Sequence, residues 1–172
     1  MLADSLKKYL GTNIVFTTKI QGFHWNTEGI HFSQYHDLFG EIYSDSYGAH
    51  DPIAEYIRSL NEYAPGSLSR FMELSEIEEQ TKIPKLNLML KEALQDNDKI
   101  IEILKDLFDE ATEARENGIA NFIADRQSMH GKWHWQLTAS LQAEWKQKDK
   151  YFLYNKQINF SIGGSVNANK EL

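Results

Sequence analysis

Two histidines and two carboxylates, His24, His36, Asp51 and Glu55, are the side chains of this 172-residue sequence best suited to metal chemistry. Two imidazoles with two carboxylates suit a first-row metal such as iron. Their spacing says more than their number. If residues 32 to 60 form one helix, His36 and Asp51 lie about 22 Å apart along its axis, at about 1.5 Å per residue. Bonds from such donors to a metal are only about 2 Å long. One copy of the helix therefore cannot gather these groups around one ion. Two antiparallel copies from different subunits could.

The elements that must position them are helices, because no stretch shows convincing strand alternation and apolar residues recur at helical spacing. Residues 3–26 read as a first helix with Leu6, Leu10 and Ile14 on its apolar side, broken by Asn26-Thr27-Glu28-Gly29. A second runs from about 31 to 62, carrying Phe32, Leu38, Phe39, Ile42, Ile53 and Ile57. Ala64-Pro65-Gly66 then turns the chain, and Ser67 N-caps a short helix to about Leu74. Pro84 opens the third long helix, which Asn117-Gly118 stops, since Gly suits the left-handed C′ position. The fourth spans about 119–147. The expected fold is all-α: a four-helix bundle with a short helix in the connection between the second and third long helices. Residues 1–150 form the bundle domain, and 151–172 a partly disordered tail.

Lys and Arg number 18 against 25 Asp and Glu, a net charge of −7. An acidic surface favours cations over nucleic acid, so DNA binding is expected to be weak or absent. With no cysteine, disulfides, iron–sulfur clusters and thiol catalysis are excluded. The first residues lack the apolar core of a signal peptide, and no segment has the long apolar run of a membrane span. A cytoplasmic protein with no membrane partner is expected.

His24-Trp25-Asn26, then His36, Asp51 and Glu55, together with the stretches GFHWNTEGIHFSQYHDLFGEIY and DPIAEYIRSL, resemble the Dps family (DNA-binding protein from starved cells), the ferritin-like mini-ferritins. Asp125, Arg126, His130, Lys132 and Trp135 are similar to the family's closing segment, so the resemblance covers roughly residues 5–145. It implies a hollow homododecamer with iron-oxidising centres at two-fold dimer interfaces. His24 and His36 would come from one subunit and Asp51 and Glu55 from its partner, with Trp25 beside the metal. Hydrogen peroxide would oxidise Fe(II), and Fe(III) would mineralise in the cavity, protecting DNA from oxidative damage.

This sequence departs from the family pattern one turn after His36, where a further carboxylate is usual and Gly40 stands instead. Asp37 and Glu41 point about 100° and 140° away from His36 on a helix of about 3.6 residues per turn. One firm iron position (His24, Asp51, Glu55) and one weak position (His36) are therefore expected at each inter-subunit site. Tyr56 also replaces a usual Arg. Gly40, Ser44 and Gly48 form a stripe of small residues. Two readings of it stand side by side: close packing of two copies about an axis near residue 44, or a helix kinked near Pro52.

Other candidates carry less. His130 and His134 are at chelating i,i+4 spacing without a carboxylate partner, so packing is the expectation. Glu28 and His31 form a single Glu-x-x-His at a helix break, whereas a di-iron site inside the bundle needs two. Arg58 is placed to neighbour Glu55, and Tyr43 and Tyr47 to donate electrons, while the acidic residues between Asp106 and Glu116 are expected to be a solvated face, with an iron entry as the lesser reading. The competing class is a structural Dps-like shell or scaffold with a degenerate iron centre, or a DNA-binding cage.

Overall fold

The computed structural model describes the backbone of residues 1–163 and the side chains of residues 1–142. Its order is α1 (Leu2–Asn26), α2 (Phe32–Gly48), α3 (His50–Ser59), α4 (Leu68–Leu74), α5 (Leu86–Glu113) and α6 (Asn117–Gly163), with no strand among the described residues. Apolar side chains recurring every three to four residues put Leu6, Leu10, Phe16 and Ile20 of α1 on one buried stripe. They pack with Phe39 and Ile42 of α2, Ile53 and Ile57 of α3, Leu90, Ile100 and Leu104 of α5, and Ile123 and Leu137 of α6. Burying each such side chain contributes about 1.5–3 kcal/mol. The result is the expected bundle, in which α2 and α3 together fill one of the four positions.

The second long helix is not continuous. It breaks at Ala49, because Pro52 has no N–H for the Gly48 carbonyl and its ring crowds that turn. It also ends at Ser59, before the expected 62, where Asn61 takes a left-handed φ of 62°. α4 is capped as its sequence indicates: Arg70 N–H donates to Ser67 Oγ at 3.4 Å. α1 and α4 cross where Gly11 leaves space, since a Cβ there would stand 2.8 Å from the Phe71 carbonyl oxygen.

Two further helix ends differ from expectation. α5 stops at Glu113, with Arg115 in the left-handed C′ position at φ 60° and Gly118 already inside α6. Glu116 N–H to Ala111 O (2.9 Å) and Arg115 N–H to Thr112 O (3.0 Å) close that terminus. The backbone of α6 runs past the expected 147 to Gly163, because no Gly or Pro interrupts it between Lys132 and Ile162. Of the expected tail, residues 164–172 lie outside the described residues.

One polar network crosses the core and touches all four long helices. Arg126 of α6 pairs with Asp45 of α2 at 2.7 Å and donates to His130 Nε2 at 3.3 Å. His130 Nδ1–H in turn donates to Asn97 Oδ1 of α5 at 2.8 Å, while Asn97 Nδ2–H reaches the His130 carbonyl at 3.0 Å. Tyr9 of α1 faces the same guanidinium. Burial and the Arg126 charge push the His130 pKa down to about 3, so the ring is neutral and packed. The bundle interior thus carries its own fixed cation, which opposes a metal site there.

Candidate metal centre

His24 sits in the last turn of α1 and His36 near the start of α2, joined by the short loop around Gly29. That loop needs glycine, since Gly29 has φ 104°. The two histidines hold each other. His24 Nδ1–H donates to the His36 carbonyl at 2.6 Å, and His36 Nδ1–H donates to the His24 carbonyl at 2.9 Å. A carbonyl oxygen can only accept, so both rings carry their proton on Nδ1. In the neutral ring the free lone pair then sits on Nε2, the form in which imidazole binds a metal. Fixing a ligand ring through its other nitrogen is also the common outer support of metal sites. The His24 carbonyl lies in the last turn of α1, where helix carbonyls lack intrahelical partners, so His36 caps the helix as well.

The rings stack with centroids 3.7 Å apart and planes 24° from parallel. Two planes so nearly parallel cannot both contain one ion close by, so the pair fits two neighbouring ion positions. Ions in two-metal sites stand about 3.5–4 Å apart, close to the ring spacing. Phe32 stacks on the outer face of His36 at 4.9 Å, and Tyr43 meets His24 at 5.2 Å. Gly40 fits against His24: a Cβ there would lie 3.3 Å from both Cε1 and Nδ1. The other stripe glycine, Gly48, has open space around its Cβ position and lies at the helix break.

Asp51 and Glu55 project from the first turns of α3, both exposed. The N-terminus of a helix favours negative charge, which suits Asp51. Neither carboxylate has a salt bridge or side-chain hydrogen bond among the described residues, although His50 lies within electrostatic reach of Asp51. Arg58, expected to neighbour Glu55, turns instead to the Glu62 carbonyl (2.8 Å) and the Tyr63 ring (4.5 Å). Within one protomer the structure brings His24 and His36 together but gathers no group of three or more His, Asp or Glu residues able to hold a metal, among the described residues. The donor types fit Fe(II): two neutral imidazole nitrogens and two carboxylates with no internal counter-ion.

Of the other sequence candidates, His130 is packed in the core network as expected, whereas His134 does have a carboxylate partner, Asp98 of α5, which it bonds through Nδ1 at 2.5 Å. Trp25, beside His24 in sequence, is 67% exposed and lines a cavity of about 490 Å³ between α1, α4 and the loop before α5. Two features gave no sequence signal. One is the mutual histidine lock, whose acceptors are backbone carbonyls. The other is the Lys19–Asp96 ion pair at 2.6 Å, nearly buried between α1 and α5.

A family model for the ferritin-like domain matches residues 3–144. Antigen TpF1 of Treponema pallidum is 31% identical over 146 residues, covering 83% of this chain and 81% of that protein. A DNA protection during starvation protein of Brevibacillus brevis is 27% identical, covering 83% of this chain and 95% of its own. Among solved structures, a Dps protein from Bacillus brevis superposes with a TM-score of 0.78 at 27% identity, over 81% of this chain and 94% of that one. A Vibrio cholerae Dps described as a ferritin-like diiron-carboxylate protein gives 0.78 at 27%, over 81% and 88%. No helix among the described residues is long and apolar enough to cross a membrane. With a ferritin-like model matching nearly the whole bundle and Dps structures superposing on it, the chain belongs to the ferritin-like family as a Dps-type mini-ferritin.

Proposed function

We propose that this protein oxidises Fe(II) with hydrogen peroxide at centres formed between two-fold-related subunits and stores the Fe(III) inside a hollow homododecamer. The observation that carries this reading is the histidine lock, which turns both Nε2 atoms away from their carbonyl partners, in a chain that also exposes two carboxylates on α3 with no salt bridge among the described residues. His24 and His36 of one subunit would meet Asp51 and Glu55 of its neighbour. The firm position takes His24 and both carboxylates, and the weaker one relies on His36. Charge supports this inequality: two Fe(II) ions bring four positive charges against two negative ones, since neutral imidazoles add none. Protection of DNA is then chiefly chemical, through removal of Fe(II) and peroxide, in keeping with the net charge of −7.

The test is ultraviolet absorbance after Fe(II) and peroxide are added to assembled protein, beside a His24→Ala, Asp51→Ala double variant. Faster oxidation by the native protein supports the reading. Equal rates favour the second reading, a Dps-type shell serving as scaffold, whose structural support is the side-chain-free Gly40 beside the ligand pair.

A further inference from the structure

We infer that His50 is a positioning residue of the metal centre: it ties the first turn of α3 to α1, and through that turn sets where the Asp51 carboxylate points. The inference rests on the iron-oxidising reading above and adds a residue to that same site.

The break at Ala49 creates the need. Pro52 gives no N–H back to the Gly48 carbonyl, so the helical ladder does not carry the direction of α2 into α3. Asp51 is exposed and has no side-chain hydrogen bond among the described residues, so its direction depends on what holds the turn around it. At about 100° per residue, His50, Ile53 and Ile57 fall on one side of α3, and Asp51 and Glu55 on the other. Ile53 and Ile57 are fully buried and seat α3 on the core. Apolar burial is non-directional, so it fixes the depth of the helix better than its roll.

A hydrogen-bonded bridge supplies the direction. Asn13 Nδ2–H donates to the Ser46 carbonyl at 2.8 Å, ahead of the break. The Thr17 hydroxyl donates to the Asn13 carbonyl at 2.7 Å. That uses its only proton, so Thr17 Oγ1 accepts from His50 Nε2–H at 3.0 Å, beyond the break. Two residues of α1, one turn apart, thus join the end of α2 to the start of α3. Tyr47, in the last turn of α2, meets the imidazole from another side, with ring centroids 5.1 Å apart. Asn13 and Thr17 are buried and His50 is half-buried, so water competes little for these bonds. Among the described residues, the other side-chain hydrogen bonds of α3 come from Tyr56, Arg58 and Ser59, all beyond Glu55.

The experiment is anaerobic Fe(II) calorimetry on assembled protein. His50→Leu keeps the bulk and loses the donor, while Thr17→Val removes the acceptor on α1 and leaves α3 untouched. Each should weaken the firm Fe(II) position about tenfold, the lower end for loss of an outer support of a metal ligand. His50→Gln keeps an N–H at similar reach and should recover most of the affinity. A merely structural role predicts the same loss whichever residue stands at position 51. A positioning role predicts that His50→Leu weakens native protein yet adds almost nothing to the loss in Asp51→Asn. Full affinity in both His50→Leu and Thr17→Val overturns the inference, as does an equal loss in the two backgrounds or no recovery with His50→Gln. If His50→Leu does not assemble, Thr17→Val, of the same shape as the native residue, carries the comparison with Asp51→Asn. If native protein binds Fe(II) no more tightly than the Asp51→Asn, Glu55→Gln variant, the iron-oxidising reading fails first and the role of His50 falls with it.

Discussion

Gly40 of α2 lies against the His24 imidazole of α1, close enough that a Cβ on it would stand 3.3 Å from both Cε1 and Nδ1. The missing side chain therefore does two things at once. It lets His24 seat against α2 with its Nδ1–H on the His36 carbonyl, and it leaves the turn after His36 without a donor. Gly40→Asp would push the ring by a few tenths of an ångström and add a carboxylate beside it. Anaerobic Fe(II) calorimetry should then show the ratio per site rising from one toward two. Gly40→Ala crowds the ring without adding a donor and should show no rise. An unchanged ratio in the Asp variant would contradict the assignment of a weak second position.

Gly11 is a tighter case, because the atoms facing it cannot swing away. A methyl group there would lie 2.8 Å from the Phe71 carbonyl oxygen and 2.9 Å from Leu74 Cβ. Gly11→Ala should lift α4 from α1 at a cost of about 1–3 kcal/mol, typical of overpacking. Helix propensity returns only about 1 kcal/mol of that. Urea unfolding should show a lower midpoint, and proteolysis should quicken around α4. An unchanged midpoint would mean that α4 is loosely seated.

Much of this was legible in the residues. Leu6, Leu10, Ile53 and Ile57 announce their helices by spacing, Ser67 announces its cap, and the distance between His36 and Asp51 already argued for two chains. What the sequence hid depends on backbone groups and on contacts between helices. His24 and His36 are read as ligands from their type, but their lock uses carbonyls that every residue possesses. Gly40 reads as a lost carboxylate, while its contact with His24 exists only once α1 and α2 pack. Pro52 marked a kink as one of two readings of the stripe, and the break at Ala49 appears where its ring crowds the turn.

The stop of α5 illustrates the same limit. Asn117-Gly118 is the stronger turn signal, yet Arg115 takes the left-handed position because the bonds from Glu116 and Arg115 close the helix one turn earlier. A left-handed conformation costs an ordinary L-residue about 1–2 kcal/mol. Arg115→Gly should recover roughly 1 kcal/mol of this. A raised thermal midpoint is the expected reading, and a lowered one would show that the Arg115 side chain matters more than its backbone.

His130 makes the fold sensitive to acid. Its folded pKa, pushed down to about 3 by burial and the Arg126 charge, lies below the unfolded value of about 6.5. Between these limits the unfolded chain binds the extra proton, so stability rises with pH there. The contribution is complete above about 6.5 and is lost as pH falls toward 3, at about 1.4 kcal/mol per pH unit. Unfolding midpoints should therefore drop between pH 6.5 and 5, while nuclear magnetic resonance finds the His130 ring still neutral at pH 5. A charged ring at pH 5 in folded protein would refute the assignment.

The mutual lock of His24 and His36 makes the sharpest claim about the centre, because it fixes where two protons lie before any metal arrives. Solid-state resonance on imidazole-¹⁵N-labelled protein should find both rings with protonated Nδ1 and bare Nε2. Zn(II), a diamagnetic stand-in for Fe(II), should then shift the Nε2 signals and leave Nδ1 protonated. Asp51→Asn with Glu55→Gln removes the carboxylate charge and should abolish the Zn(II) shift while the metal-free tautomers stay as they were. This separates the two halves of the proposed centre: the lock, which belongs to one chain, and the carboxylate charge, which would come from its neighbour. A protonated Nε2 on either ring would point that ring's lone pair at a carbonyl oxygen, and the geometry proposed for that ligand would be wrong.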